Sequence, residues 1–414
     1  MVDPSDPTQE EYIQFHFTTL RDNAPRIMEE SISQLEAAQK GDLGVDGSSV
    51  PGYASVNHSD VSIVPDMNTI CNLHYEEMKS AIVFCNVHDS ATGKPHGSCP
   101  RSVLQKVIDT ARSMDFTAVM FSELEFYVLK DGSFHDQAGY LEGPPKDKGG
   151  PFRRTLADLV SNLGVKVKRI HHENGPGQQE IEYQLMPAMH NADSTLLGIW
   201  CCHLIANSMG LEVEYDPKPY PDLIGNGLHM HIMLCDADGN NVMFDAKDEQ
   251  HLSIHAKQFI AGLLKYSAEI TALFARSPSS FKRLVPGHEA PVYKTWDFSN
   301  RTALVRVPHI SPANLPKKQR VEFRAGDASG NPHLLAAAIY YAGLKGIMEE
   351  LDPVSNFTQN PDSMTEEELK EAGIEKLPQS LQECNEILRT SAFVRELLSE
   401  QAIDFLIAEN EKKL

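Results

Sequence analysis

Four separate segments of this chain place ionisable side chains at every second position. In Phe121-Ser122-Glu123-Leu124-Glu125-Phe126-Tyr127 two glutamates alternate with apolar residues, and in Gly227-Leu228-His229-Met230-His231-Ile232 two histidines do the same. Arg320-Val321-Glu322-Phe323-Arg324 carries a cation, an anion and a cation, and Glu180-Ile181-Glu182 closes a stretch that begins at His171. Side chains at i and i+2 of a strand share a face, so each segment predicts a strand with one apolar and one ionisable side. An antiparallel strand with one wet face explains any single case. A solvated face, however, draws on Thr, Lys, Ser and Gln, whereas these four use Glu, His and Arg almost throughout. The pattern predicts strands whose charged faces bind something.

The stretch His171–Glu182 concentrates the signal. Two histidines and three carboxylates, Glu173, Glu180 and Glu182, crowd around a Gly175-Pro176-Gly177 bend, a density of charge that predicts a binding site. Carboxylates with one or two histidines suit Mg²⁺ or Mn²⁺ better than zinc, which prefers Cys and His in a tetrahedron. The arginines add a second class of client, because guanidinium groups recognise phosphate and carboxylate oxygens bidentately. Metal, phosphate and carboxylate together describe phosphoryl transfer. Between His231 and Arg320 lie further basic parts. Phe281–Pro291 sets Arg283 and Glu289 around a Pro-Gly turn, as a flap over a site would; Arg301 and Arg306 follow, then Lys317 and Lys318, for which a plain surface role is the simpler reading.

Composition excludes several partners. The net charge of −21 argues against nucleic acid or an anionic membrane surface, both of which demand a basic face. No apolar run approaches the roughly 20 residues of a membrane span, and the start, Met1-Val2-Asp3-Pro4-Ser5-Asp6, is acidic where a signal peptide is basic and then apolar. Seven cysteines, at 71, 85, 99, 201, 202, 235 and 384, include no C-x-x-C pair and read as free thiols in a reducing compartment. A cytoplasmic protein is expected.

Local patterns suggest two domains. Tyr12–Phe17 alternates like a strand, Pro25–Lys40 has helix-like apolar spacing, and Val61–Val64 and Ala81–Val87 read as strands, which together make a small α+β domain. Asp89–Gly97 is rich in turn residues and precedes a helical pattern at Arg101–Ser113, so the boundary is placed between domains of residues 1–97 and 98–414. Long helices are predicted at about Thr195–Met209, Gln250–Ala275 and Pro332–Glu350, followed by a helical tail.

The ordered motifs E-L-E-F, H-H-E…G-Q-Q-E, G-N-G-L-H-M-H, K-R-L-V-P-G-H-E-A-P, N-R-T-A-L-V-R and R-V-E-F-R closely resemble those of type I members of the glutamine synthetase family. The likeness extends to D-G-S-S at Asp46–Ser49, D-V-S-I-V-P-D at Asp60–Asp66 and N-P-H-L at Asn331–Leu334, so it spans nearly the whole chain. It implies an α+β fold: a small β-grasp-like N-terminal domain, then a catalytic domain whose curved antiparallel sheet forms a funnel backed by helices. It also implies a ring homo-oligomer, commonly a dodecamer of two stacked hexamers, with active sites between subunits.

The resemblance assigns roles by position. Glu125, Glu173 and Glu180 look like ligands of a first divalent ion, and Glu123, His229 and Glu322 like those of a second, among two or three Mg²⁺ or Mn²⁺. His231, Arg301, Arg306, Lys317 and Arg320 resemble groups that contact ATP or the transferring phosphoryl. Gly225, Arg283 and Arg324 match positions that hold glutamate, Glu289 the flap acid, and Asp46 with Ser49 a loop lent by the neighbouring subunit to the ammonium pocket. His171, His172 and Glu182 are left without a catalytic part. The activity implied is ATP-dependent formation of a γ-glutamyl phosphate and then an amide, most simply glutamine.

Several positions depart from the family pattern. Ile224 stands where Asn is usual, Pro151 where a Tyr lines the ammonium pocket, and Met233 where a small hydroxyl residue follows His231. Tyr293–Ser299 sets bulky aromatics near the expected entrance, and Asp362–Pro378 has no tyrosine to be adenylylated. The departures keep open a ligase for a larger amine, such as a polyamine or alkylamine. An inactive structural oligomer is a further alternative, weakened by the complete set of presumed metal ligands.

Overall fold

A computed structural model describes residues 7–21, 23–287 and 289–414. The acidic start Met1–Asp6 and His288 of the flap motif lie outside the described residues. Six strands build the first sheet: β1 (Tyr12–Phe17), β2 (Arg26–Ser31), β3 (Gly44–Asp46), β4 (Asp60–Pro65), β5 (Cys71–Tyr75) and β6 (Met78–Asp89). Their order is β2-β1-β6-β4-β3, with β5 also on β6, and only β1 and β6 run parallel. Ile13, Phe15, Ile63, Val83 and Val87 fill a core of their own beneath this sheet.

The helix expected over Pro25–Lys40 is corrected: the chain there forms β2, a 3-10 turn at Ile32–Gln34 and one short helix, Leu35–Gln39. The cause is tertiary. Six residues of β2 pair in antiparallel register with β1, from Tyr12 opposite Ser31 to Phe17 opposite Arg26. A ladder with a buried partner outweighs a helical spacing of apolar residues that a short segment can satisfy by chance. The strand β5 carried no clear alternation and was not expected. The long helix over Gln250–Ala275 is instead two, Ile254–Lys265 and Ser267–Phe274, the first capped by Ser253.

Ten strands make the second sheet: β7 (Thr117–Lys130), β8 (Ser133–Phe134), β9 (Val167–His172), β10 (Gln178–Tyr183), β11 (Met186–Pro187), β12 (Glu212–Glu214), β13 (Leu228–Cys235), β14 (Trp296–Asp297), β15 (Val305–Arg306) and β16 (Val321–Phe323). Its main path is β14-β15-β16-β13-β7-β10-β9, antiparallel except between β14 and β15. All four segments singled out by their alternation are strands of this one sheet. Their apolar residues, among them Leu124, Ile181, Leu228, Met230 and Phe323, enter a single large core with the helices Ala188–Ser208 and Pro332–Met348. Helix Pro332–Met348 meets Ile254–Lys265 almost backbone to backbone, since a Cβ on Gly262 would lie 2.2 Å from Ala342 O and one on Gly346 2.1 Å from Gln258 O. Among the described residues every cysteine is a free thiol, and no helix is long and apolar enough to cross a membrane.

A buried ion cluster joins the first sheet to the helices Pro100–Ser113, Ala188–Ser208 and Pro332–Met348. Arg101, 1% exposed, donates from Nε and Nη2 to Asp193 at 2.9 and 3.0 Å. It reaches the small domain through Asp66 at 3.0 Å and Asn86 at 3.1 Å. His333 Nε2 lies 2.7 Å from Asp193 Oδ1, the oxygen that also accepts from Arg101 Nε. Burial alone would raise the Asp193 carboxyl, but Arg101 and His333 outweigh it and hold the group far below the usual carboxylate range. A depressed value stabilises the fold above the unfolded pKa, near 4, and that contribution fades as pH falls through the folded value. Asp193→Asn leaves the buried guanidinium without its main partner and is expected to cost about 3–5 kcal/mol in urea unfolding at neutral pH. The gap from the parent should narrow below about pH 4. A loss under about 1 kcal/mol at pH 7 would show that Asp66 and Asn86 suffice.

Candidate active site

Strand register assembles the site. At the centre of β7, Glu123 faces His229 on β13 and Glu182 on β10, while Glu125 faces Glu180. His231 faces Glu322 on β16, and Glu322 faces Arg306 on β15. On the other side, Glu180 and Glu182 face His171 and Arg169 of β9. A one-residue slip in any ladder would turn these groups to the apolar side, so the register that buries Leu124 and Ile181 also gathers the charges. Between β9 and β10 the Gly-Pro-Gly bend closes tightly: Glu173 N–H donates to Gln178 O at 2.8 Å, and Gly177 takes a positive φ of 69°.

The charged face divides into two halves. Glu123, His229 and Glu322 each offer a ligand atom within 4.8 Å of one another, as do His171, Glu173 and Glu180. Glu125 sits between them, its Oε1 3.8 Å from His229 Nδ1 and its Oε2 accepting from Gly227 N–H at 2.7 Å. The electrostatics of the halves differ. Burial, then the charge of Glu125, pushes the Glu173 carboxyl up to about 7, and burial with Glu123, Glu125 and Glu173 pushes Glu180 well above the normal range. At Glu123 burial is outweighed by the imidazoles of His231 and His229, and at Glu322 by Arg324 and His231, so both are held low.

Hard divalent cations fit this donor set. It is all carboxylate oxygen apart from imidazole nitrogen, with no thiolate, and its second half is a group of buried carboxylates whose mutual repulsion a cation would relieve. His171 Nδ1 is buried without a hydrogen-bond partner and lies 3.6 Å from Glu173. The structure thus gives His171, set aside from the sequence, a place among the ligand-capable groups. His172 is structural: its ring joins Asp136 Oδ1 at 2.8 Å to Glu173 O at 2.7 Å. Glu182 is buried too, but Lys168 and Arg169 pair with it at 2.5 and 2.9 Å.

A cavity of about 130 Å³ opens on this face, lined by Glu123, Glu125, Glu173, Glu180 and His229 from the sheet. Gly225, Arg283, Arg324, Glu289, Arg301 and Arg306 also line it, and Arg324 donates to Arg301 O at 3.1 Å and Glu289 O at 3.4 Å. Arg283 is buried and donates to Ala325 O at 2.8 Å and Arg324 O at 3.2 Å, which fixes its direction. Gly225 leaves it room, since a Cβ there would meet Pro217 O at 2.3 Å and Arg283 Cγ at 3.0 Å. Arg324 bonds Glu322 at 2.6 Å. Glu289, at φ 56°, pairs with Arg301 at 3.2 Å, both half exposed.

Other expected residues lie beside or away from the cavity. His231 contacts Glu123 at 2.9 Å and receives Arg320 Nε at 3.3 Å, next to the Arg306–Glu322 pair. Lys317 is exposed on the short helix Leu315–Lys318. Asp46 and Ser49 are on the small domain: Asp46 ends the edge strand β3, and its carboxylate accepts from Ser48 and Ser49 hydroxyls, both at 2.6 Å. Neither lines this cavity. The aromatics of Tyr293–Ser299 do not crowd an entrance, which corrects that expectation: Tyr293 packs with Val292 and Leu369, and Trp296 is buried with its indole bonded to Val354 O. Missed from the sequence are Tyr140, Arg169, Asn174 and Ala290, all in the cavity wall. Arg169 and His171 follow the same alternation as the four chosen segments, but only the pairing of β9 with β10 brings them to the site. Tyr140, in a loop, left no periodic signal.

Comparison with known proteins agrees with this arrangement. The family model for the glutamine synthetase β-grasp domain matches residues 9–90, and that for the glutamine synthetase catalytic domain matches residues 97–413. The glutamine synthetase of Pyrococcus abyssi is 36% identical over 400 residues, covering 95% of this chain and 88% of that protein. That of Mycobacterium tuberculosis H37Rv is 34% identical over 386 residues, covering 91% and 86%. The fold matches the ADP complex of GmaS, with a TM-score of 0.86, 24% identity and coverage of 98% and 93%. It also matches the Plasmodium falciparum glutamine synthetase, with a TM-score of 0.87, 20% identity and coverage of 99% and 94%. The chain belongs to the glutamine synthetase family and is a ligase of that family.

Proposed function

We propose that the protein joins glutamate to ammonia at the expense of ATP, forming glutamine. The observation that carries this reading is the small, charged cavity in which buried carboxylates that favour a cation face Arg283 and Arg324. Retention of Asp46, Ser49 and Glu289, at the positions that the family uses for ammonium, favours ammonia over a larger amine.

The chain's residues divide the work. Arg283 and Arg324, held by backbone carbonyls and by Glu322, would bind the carboxylate of glutamate. Arg306, Arg320, His231 and Lys317 would bind the nucleotide and the transferring phosphoryl, with Arg301 offsetting charge on it. Divalent ions held by Glu125, Glu173 and Glu180, and by Glu123, His229 and Glu322, would neutralise the phosphates and the reacting carboxylate. The γ-carboxylate oxygen attacks the terminal phosphorus and ADP departs. The amine then attacks the acyl carbon and inorganic phosphate leaves. A carboxylate must draw the ammonium ion in and take its proton: Glu289 can do so from this chain. Asp46, with Ser49 donating to its carboxylate, would do so from a neighbouring copy, since both are exposed and outside their own cavity. A ring of subunits, a dodecamer by analogy, in the cytoplasm completes the proposal.

A panel of ammonia, methylamine, ethanolamine, putrescine and spermidine, each with glutamate, ATP and Mg²⁺ or Mn²⁺, should show the highest kcat/KM for ammonia by phosphate release. A higher value for any larger amine would favour the second reading, which rests on Ile224 in the cavity wall. Dilution to monomers, followed by light scattering, should abolish turnover; a monomer with full activity would remove the shared site.

A further inference from the structure

Among the ionisable groups of β7 and β13 lies an aromatic ring. Phe121 precedes Glu123 by two positions on β7, so it shares the face of Glu123 and Glu125, and it stands opposite His231 on β13. Charge crowds around it. The His231 imidazole stacks on the ring with centroids 4.0 Å apart and planes 10° from parallel. Lys168 Nζ lies 4.2 Å from the centroid, and Arg320 Cζ lies 5.3 Å from it. Phe121 is only 2% exposed and does not line the central cavity, so it acts through its neighbours.

The hydrogen bonds around the ring have a fixed direction. A guanidinium only donates, so Arg320 Nε, 3.3 Å from His231 Nδ1, makes that nitrogen an acceptor. His231 Nε2 then carries the proton given to Glu123 Oε1 at 2.9 Å. Stacking on Phe121 sets the plane of the imidazole, and the imidazole in turn aims the Arg320 guanidinium.

The arginines of this face fall into two classes. Arg306 and Arg324 pair with Glu322 at 2.9 and 2.6 Å, and Arg301 pairs with Glu289 at 3.2 Å. Arg320 differs. Among the described residues it has no carboxylate at ion-pair distance, its Nη1 donates to Lys318 O at 3.2 Å, and its Nη2 donates to nothing. A carboxylate would occupy those donors and offset the charge. A π-face attracts a cation without taking up its N–H groups, so Phe121 supports Arg320 and leaves it available to an anion.

We propose that Phe121 is a positioning residue of the nucleotide site, its ring holding Arg320, directly and through His231, with the Nη donors free for a phosphate oxygen. This rests on the ligase reading and names a residue that governs ATP binding without touching ATP.

The test uses two ring-free variants, Phe121→Met and Phe121→Leu, which keep an apolar side chain, and Phe121→Tyr, which keeps the ring. Thermal melting without nucleotide shows which ring-free variant retains the parent's transition, and that one is carried forward. Calorimetry with Mg²⁺ gives Kd for ATP, and steady-state kinetics give KM for glutamate. Loss of the ring should raise Kd for ATP about fivefold, the order of a cation–π contact in a partly desolvated site. The Tyr variant should stay within about twofold of the parent, with KM for glutamate unchanged throughout. In an Arg320→Gln background the ring-free substitution should change Kd by less than about twofold, because the group it acts through is gone. An unchanged Kd on loss of the ring, an equal rise in KM for glutamate, a Tyr variant no better than the ring-free one, or a full effect in the Arg320→Gln background would overturn the assignment. A parent protein that binds no ATP would remove the ligase reading, and this inference with it.

Discussion

Mutual repulsion among carboxylates on one face of one sheet is the constraint around which the rest of this molecule is arranged. Glu123, Glu125, Glu180 and Glu182 lie opposite one another on β7 and β10, and Glu173 adds another at the bend. Burying such a group without compensation is costly. Two kinds of compensation are visible. Glu123, Glu182 and Glu322 have imidazole or cationic partners in the chain itself: histidines, Lys168 and Arg169, Arg306 and Arg324. Glu173 and Glu180 are not compensated to that extent, and their carboxyls are displaced upward. Carboxyls raised in the folded state above their unfolded value, near 4.3, weaken folding as pH climbs through that interval. A bound cation removes the penalty, so binding energy and fold stability are coupled at this face.

The scaffold around this face is correspondingly rigid. The apolar residues that alternate with the charges are fully buried, and the helices behind them approach closely through Gly262 and Gly346. The Arg101–Asp193 cluster ties in the small domain. By contrast, the elements on the open side are loops: the turn carrying Glu289, the segment around Arg301 and the loop of Tyr140. Charges fixed on strands, with loops closing the rest of the cavity wall, are a common arrangement of functional residues on a rigid scaffold.

Much of this was legible in the sequence because a strand's side-chain period is two. The Glu123/Glu125, His229/His231, Glu180/Glu182 and Glu322 patterns predict a shared face, and the register places them on one. What the period could not give is which strand lies beside which, so the contribution of Arg169 and His171 from β9 emerged only with the ladder. Short-range spacing misled at Arg26–Ser31, where apolar residues fit a helix until a partner strand was available. It also misled at Tyr293 and Trp296, whose bulk fills packing space behind the site. Tyr140 was illegible for another reason: its placement depends on Asp136 and His172, distant in sequence, holding a loop against the Gly-Pro-Gly bend.

Titration of metal-free protein with Mn²⁺ by calorimetry in buffers of different ionisation enthalpy tests the account most directly. It predicts at least two ions per chain, with protons released on binding and fewer released as pH rises from about 6 to about 8, because Glu173 is protonated at the lower end of that range. Absence of saturable binding, or binding without proton release at the low end, would contradict it.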